Sequence, residues 1–238
     1  MSANPLPKRF YTNVAVAPGT DGFAISLDGK PVRTPARNEL AVASEELAGE
    51  IAAEWEAQGD RIDPSSMPMT KRANTAIDRV RGREDEIVAE IVEYAGSDLL
   101  CYRAETPAGL VASQAEHWDP VLEWTKNKLD APFSVSTGIA HVAQSENALA
   151  AVRSALSAHD FYALTPLHTM TTLTGSALLA LAHARGHLDP DAVWQAAHVD
   201  EDWQISQWGE DAEAKVRRML RRAEFDADVG FLSTLGVQ

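Results

Sequence analysis

The residues of this 238-residue chain that could do chemistry are few, and their spacing argues against most of it. No GxGxxG or GxxxxGK run occurs, so no glycine-rich loop is predicted to cradle a phosphate. Gly29-Lys30 is followed by Pro31 and reads as a turn, while Gly175-Ser176 lacks the flanking pattern of a nucleophile elbow. His183 and His187 have the i, i+4 spacing of a metal pair. The glutamate that would follow the first histidine in a zinc protease is missing, and Gly186 ends a helix between them. They read as histidines at a helix C-terminus, where the dipole favours positive charge. Cys101 is the lone cysteine, so neither a disulfide framework nor a Cys-cluster zinc site is available. It sits between Leu100 and Tyr102 in an apolar run and is expected to be a buried, inert thiol.

The tryptophans say more. Trp194, His198, Glu201, Ile205 and Trp208 fall at offsets 0, 4, 7, 11 and 14, and on a continuous helix over 190–208 they share one face. Two readings stay open: a core stripe with an edge glutamate, or a protein-binding face on which aromatic residues supply energy and a carboxylate sets orientation. Trp55 continues the face of Leu47 and Ile51 and is expected in the core, where a Trp55→Arg change would damage folding.

The elements that would position these groups differ between two parts of the chain. Residues 1–66 hold six of the twelve prolines and five of the fourteen glycines. Their apolar residues alternate with a period near two: Phe10, Val14, Val16, then Phe23, Ile25, Leu27. Turn signals at Pro18–Gly22 and at Asp28-Gly29 separate them. Strands are predicted at 9–17, 22–28, 31–35 and 39–43, followed by a helix over Ser44–Gln58 with Ser44 as its cap and Gly59 at its end. From residue 67 onward helices dominate. They are predicted at 70–81, 84–95, 108–129, 145–158, 166–185, 190–208, 211–225 and 227–235. Pro120 either kinks the helix over 108–129 or restarts it with Asp119 as a cap. Segments 99–103 and 133–141 read as short strands or loops. The expected architecture is α+β: an antiparallel β-rich N-terminal domain over 1–66 and a larger, mainly helical domain over 67–238.

Charge excludes further classes. The net charge is −14, which argues against binding nucleic acid or an anionic membrane through bulk charge. Residues 186–214 carry eight acids and no Lys or Arg, and Lys215–Arg222 (KVRRMLRR) then carries five cations and no acid. This basic segment is the expected source of any electrostatic steering. The most apolar stretch, Ser176–Ala182, is far shorter than the roughly 20 residues that span a bilayer. The N-terminus, MSANPLPKRF, lacks an apolar signal core and a long Arg- and Ser-rich presequence. A bacterial cytoplasm is therefore expected, or a mitochondrial matrix if a presequence has been removed. Nothing demands more than a monomer.

Seven motifs in register go beyond composition. They are KRFY from Lys8, DGFAISLDGKPVRTP from Asp21, LAVASEELAGEIAAEWEAQ from Leu40 and IDPSSMPMTKRANTAID from Ile62. DLLCYRAETPAGL from Asp98, QAEHWDPVLEW from Gln114 and DEDWQISQWGED from Asp200 complete the set. Together they resemble the ATP synthase F1 assembly chaperones that act on the alpha subunit (mitochondrial assembly factor two and its alpha-proteobacterial relatives). The match is dense from Lys8 to Trp124, thin from Lys126 to His198, and resumes from Asp200 to Gly209. The resemblance implies a chaperone, not an enzyme, with no cofactor or metal. It implies that the protein covers the beta-facing surface of unassembled alpha until beta displaces it. It places partner binding in the C-terminal motif: Asp200, Glu201 or Asp202, with Gln204 and Trp208. Glu201 is favoured because it alone of the three acids falls on the Trp194/Ile205/Trp208 face. Trp55, Asp78 and Trp118 are expected as structural motif residues. Two other functions compete. An enzyme or small-molecule binder would use a pocket without a known motif, with His168 or His183. A constitutive subunit would remain in the mature complex.

Overall fold

The computed structural model describes residues 6–19 and 21–237. Residues 1–5 of the N-terminal segment, Thr20 of the first predicted turn, and Gln238 lie outside the described residues. Two strands form the first hairpin, β1 (Val14–Gly19) and β2 (Gly22–Leu27), with Val14 opposite Leu27 and Gly19 opposite Gly22. Gly22 has a φ of 123°, and a Cβ there would stand 2.4 Å from the Val42 carbonyl oxygen, so only glycine fits. The alternation is one-sided. Ile25 and Leu27 of β2 are buried, whereas Phe10 and Val16 are exposed.

The next two strands are shorter than their sequence pattern predicts. β3 is only Lys30–Pro31 and β4 only Ala41–Val42, both paired with β2; an isolated bridge joins Arg33 to Glu39. Asp78 explains the loss. Its Oδ1 accepts from Thr34 Oγ1 at 2.6 Å and from Asn38 Nδ2 at 2.9 Å, and its Oδ2 from the Ala36 amide at 2.9 Å. These bonds pull residues 34–38 out of the ladder into a loop, where Pro35 has no amide to pair.

Helix α1 (Glu45–Glu56) starts at Ser44, whose side chain accepts from the Leu47 amide. Leu47 and Ile51 are fully buried, and Trp55 is half-buried beside them. Glu54 accepts from the amides of Met69 (2.6 Å) and Thr70 (2.8 Å), which pins α1 to the start of α2 (Pro68–Thr75). α2 runs into a wider helical turn at Ala76–Val80.

The remaining helices are α3 (Glu84–Gly96), α4 (Ala108–Leu129), α5 (Glu146–Leu156), α6 (Phe161–Thr174), α7 (Ala177–Ala184), α8 (Pro190–Ala197), α9 (Val199–Trp208) and α10 (Ala212–Thr234). Two residues each of β5 (Tyr102–Arg103) and β6 (Ser136–Thr137) pair in parallel within the ambiguous segments. α4 does not break at Pro120. The proline and Glu116 one turn earlier both face solvent, so water can serve the freed carbonyl. The predicted helix over 166–185 is two helices, because Gly175 adopts a left-handed φ of 70° and Ser176 caps α7. The two helices predicted over 211–225 and 227–235 are one, α10.

All eight residues of α7 are buried, so the most apolar stretch of the sequence is the centre of the core. Around it pack Ile91 of α3, Trp118 and Val121 of α4, Leu164 and Leu167 of α6, Trp194 of α8 and Phe225 of α10. Trp118 is fully buried, and its indole N–H donates to the Ala196 carbonyl at 2.7 Å. A second cluster joins Ile25, Leu40, Leu47 and Ile51 to Ile77, Tyr162 and Phe231, so it draws on residues from both sides of position 66. Two buried acids tie elements together. Asp98 accepts from the amides of Leu100 and Leu178, both at 3.1 Å, and burial pushes its carboxyl up to about 6. Asp228 of α10 meets Arg72 of α2 at 2.5 Å, and burial pushes its carboxyl up to about 7 against the pull of that guanidinium.

No described helix is long and apolar enough to cross a membrane.

Candidate functional site

The C-terminal acidic motif lies on α9, and the structure revises the face it occupies. Asp189 caps α8 by accepting from the Ala192 amide, and Trp194 is buried against the core. The helix then breaks at His198, which has φ −120° and ψ 17° and joins α8 to α9. Trp194 and His198 are therefore core residues, and Trp208, 80% exposed, is not on their face. The expectation of one continuous aromatic stripe is wrong. No glycine or proline marks the break; a buried ring holds it. His198 Nδ1 lies 2.8 Å from the Trp194 carbonyl oxygen, and the two rings pack with centroids 4.0 Å apart and a tilt of 31°. A carbonyl can only accept, so Nδ1 carries the proton. Burial, aided by Arg218 and Arg221, holds the ring's pKa below its ordinary value.

The three acids of the motif have different surroundings. Asp200 accepts from Gln114 Nε2 of α4 at 2.7 Å, and the same glutamine accepts from the Ala104 amide. Asp200 thus seats α9 on α4. Asp202 forms an ion pair with Arg218 and so seats α10 on α9. Glu201 is left with His198 Nε2 at 3.9 Å, too far for a hydrogen bond. Glu201 lines a cleft of about 280 Å³ between α9 and the start of α10, together with Gln204, Ile205, Trp208 and Lys215. Glu201, Ile205 and Trp208 still share a face, but it is a face of α9 alone.

Trp203 is a positioning residue that motif reading misses. Its ring lies against Gly109 at the start of α4, so closely that a Cβ there would come within 2.2 Å of Cη2. A glycine in the first turn of a predicted helix is the available signal.

The basic segment reads differently in three dimensions. Lys215 pairs with Glu210 at 2.8 Å, Arg217 with Glu213 at 3.6 Å, and Arg222 with Asp191 at 2.6 Å and Asp226 at 2.7 Å. Arg218 holds Asp202, and Arg221 donates to the Leu173 carbonyl. The five cations are neutralised or engaged locally, so they do not form an open basic patch. What the segment leaves uncovered is apolar. Val216, Met219 and Leu220, at i, i+3 and i+4 on α10, are exposed, as is Trp208. This face is also readable in the sequence, since the apolar residues interleave with the arginines at helical spacing.

The other candidate groups are accounted for. Cys101 is fully buried, and burial pushes its thiol up to about 12. His183 is buried with Nδ1 against the Leu188 carbonyl, His187 stacks on Trp124, and His168 pairs with Glu90 at 2.9 Å. Among the described residues no three His, Cys, Asp or Glu side chains come together as metal ligands.

Comparison with known proteins decides the family. The profile of the ATP12 chaperone protein family matches residues 8–126, half of the chain. The chain belongs to the ATP12 chaperone family. That is the family whose motifs it resembles, and the matched span ends where the dense run of motifs ends. The likeness to solved structures extends through α9 and α10. Atp12 from Paracoccus denitrificans superposes with a TM-score of 0.92 at 37% identity, covering 96% of this chain and 98% of that one. An aspartate-to-lysine mutant of the same Paracoccus protein superposes equally well, with 97% of that chain covered. A chaperone candidate from Agrobacterium tumefaciens gives 0.93 at 46% identity, covering 98% of this chain and 88% of the other. The mitochondrial protein atp12 of Schizosaccharomyces pombe is 26% identical over 229 residues, covering 87% of this chain and 77% of the relative. A small N-terminal antiparallel sheet followed by a mainly helical body is thus an ATP12 fold.

Proposed function

We propose that this ATP12-family chaperone acts in assembly of the F1 sector of ATP synthase, binding the unassembled alpha subunit through the α9–α10 arm until beta displaces it. One observation carries the placement: Trp208, Val216, Met219 and Leu220 are exposed on an arm whose basic residues are already engaged. An unassembled subunit exposes an apolar interface that invites aggregation. An apolar face of similar chemistry can cover it. The same surface must bind less tightly than the true neighbour, so that assembly releases it. Glu201 is proposed as the orienting carboxylate, because Asp200 and Asp202 are occupied within the chaperone and Glu201 is not. Gln204 and Trp208, which border the same cleft, complete the proposed contact. The protein is proposed to act as a monomer, in a bacterial cytoplasm or a mitochondrial matrix.

The test is co-expression of alpha from the same source with and without this protein, followed by a sizing column and addition of beta. Soluble, co-eluting alpha that beta releases supports the proposal. The pair Met219→Ser/Leu220→Ser should weaken co-elution about tenfold or more while melting stays that of the parent. Glu201→Lys should weaken it without loss of fold. If the serine pair holds alpha as well as the parent does, the arm is not the docking site. If alpha ignores the parent protein, the chaperone–alpha pairing itself is wrong.

A further inference from the structure

A second recess lies far along the chain from the arm. A groove of about 950 Å³ runs between the 33–36 loop, the last turn of α1 and the exposed side of α2. Trp55, Ile62 and Met67 give it an apolar floor, and Arg33, Lys71 and Arg79 stand along its walls. In a chain of net charge −14, this lining carries three cations and a single acid. That acid is Asp78, whose two oxygens are committed to Thr34, Asn38 and Ala36. Lys71 pairs with Glu224 at the surface. Among the described residues no carboxylate pairs with Arg33 or Arg79.

Two polar atoms of the lining are also unserved. Trp55 Nε1 and Asn74 Oδ1 are shielded from water and have no hydrogen-bond partner. One is a donor and the other an acceptor. Burying either one without a partner is unfavourable. A peptide backbone offers a carbonyl for the indole N–H and an N–H for the Asn74 oxygen. An apolar side chain beside that peptide would lie on the Trp55 and Ile62 floor. Carboxylates on either side of it would reach Arg33 and Arg79.

We propose that this groove binds an extended, acid-flanked apolar segment of a partner polypeptide. The segment is assigned to the client, so this assignment of its source rests on the chaperone reading above. The groove would then hold a stretch of client chain while the arm covers a folded surface.

The experiment uses the full-length protein labelled with nitrogen-15, with the Trp55 indole N–H signal assigned by a Trp55→Phe variant. Short overlapping peptides tiling the alpha subunit are titrated in. At least one acid-containing peptide should move that signal, more tightly at low salt. Replacing its acids with lysine should weaken binding about tenfold or more. Arg33→Glu/Arg79→Glu should abolish the shift, and the milder Arg33→Gln/Arg79→Gln pair should weaken it with the parent's melting curve. The inference is overturned if no peptide moves the signal, if lysine peptides do so equally, or if millimolar inorganic phosphate alone reproduces the shift. Co-elution of intact alpha separates the two readings. Alpha held by the arm with no peptide response sinks the groove alone. A peptide response without alpha binding keeps the groove and sinks the client.

Discussion

Removing the Asp228 carboxylate should leave a buried guanidinium without its ion-pair partner and destabilise the fold severely. Arg72 is 7% exposed and Asp228 fully buried, with Nε and Oδ1 2.5 Å apart. Asp228→Ala leaves the guanidinium with the carbonyls of Glu224 (2.6 Å) and Pro68 (3.5 Å) and no direct ion-pair partner among the described residues. An uncompensated buried charge of this kind costs about 3–5 kcal/mol. With a urea slope near 3 kcal/mol/M, the midpoint should fall by roughly 1 M or more. The measurement belongs at pH 8, above the value near 7 to which burial pushes this carboxyl, so that the parent pair is charged. Arg72→Met/Asp228→Leu removes both charges and keeps the volume. It should recover most of the loss, ending within about 2 kcal/mol of the parent. A loss below about 1 kcal/mol in Asp228→Ala would refute the reasoning, because the carbonyls alone would then hold Arg72. Additive effects in the double variant would refute it too, since they would show no coupling between the partners.

Further outcomes follow from other buried contacts. Asp98 is pushed up to about 6 by burial, above its unfolded value, so the folded state holds its proton longer. Its contribution is therefore present in acid and lost as pH rises from about 4 to about 6, amounting to roughly 2–3 kcal/mol; Asp98→Asn should flatten that part of the stability curve in urea melts. Gly109→Ala would drive a methyl group into the Trp203 ring, costing about 1–3 kcal/mol by thermal melting, and the Trp203 emission should shift as the ring moves; an unchanged melt would mean that α9 is not seated there. The Cys101 thiol, fully buried and pushed up to about 12, should react with a disulfide reagent only as fast as the protein unfolds; rapid labelling of the native protein would contradict this burial.

Much of the helical body is legible in the sequence because its faces are periodic. α1, α3, α4 and α5 appear within two residues of their predicted bounds. What the pattern misses depends on particular side-chain contacts, most of them between residues far apart in the chain. The sheet shrinks because Asp78, far along the chain, captures the 34–38 loop. The helix over 190–208 breaks because the His198 ring turns back onto Trp194, which no local breaker announces. Trp55 shares a face with Leu47 and Ile51 as predicted, yet that face meets a groove at its last turn and leaves the indole half-buried. Lys215–Arg222 reads as an open basic patch because its counter-charges come from α8, α9, the turn before α10 and α10 itself. Charge counted along the chain does not show such pairing across elements.

α10 has one end in the core and the other in water. Phe225, Asp228, Phe231 and Leu232 are buried, whereas most of residues 211–221 are exposed. Because a helix propagates easily from an existing turn, the buried half acts as the nucleus for the exposed half. The proposed docking face is therefore ordered before any partner arrives. Its backbone entropy is lost when the chaperone itself folds, not at each encounter. In the proposed grip little backbone-ordering penalty falls on association, so an affinity low enough for release is set by the contact itself. Such a contact can let go quickly, and amide exchange across 212–222 should be nearly as slow in the free protein as in the complex.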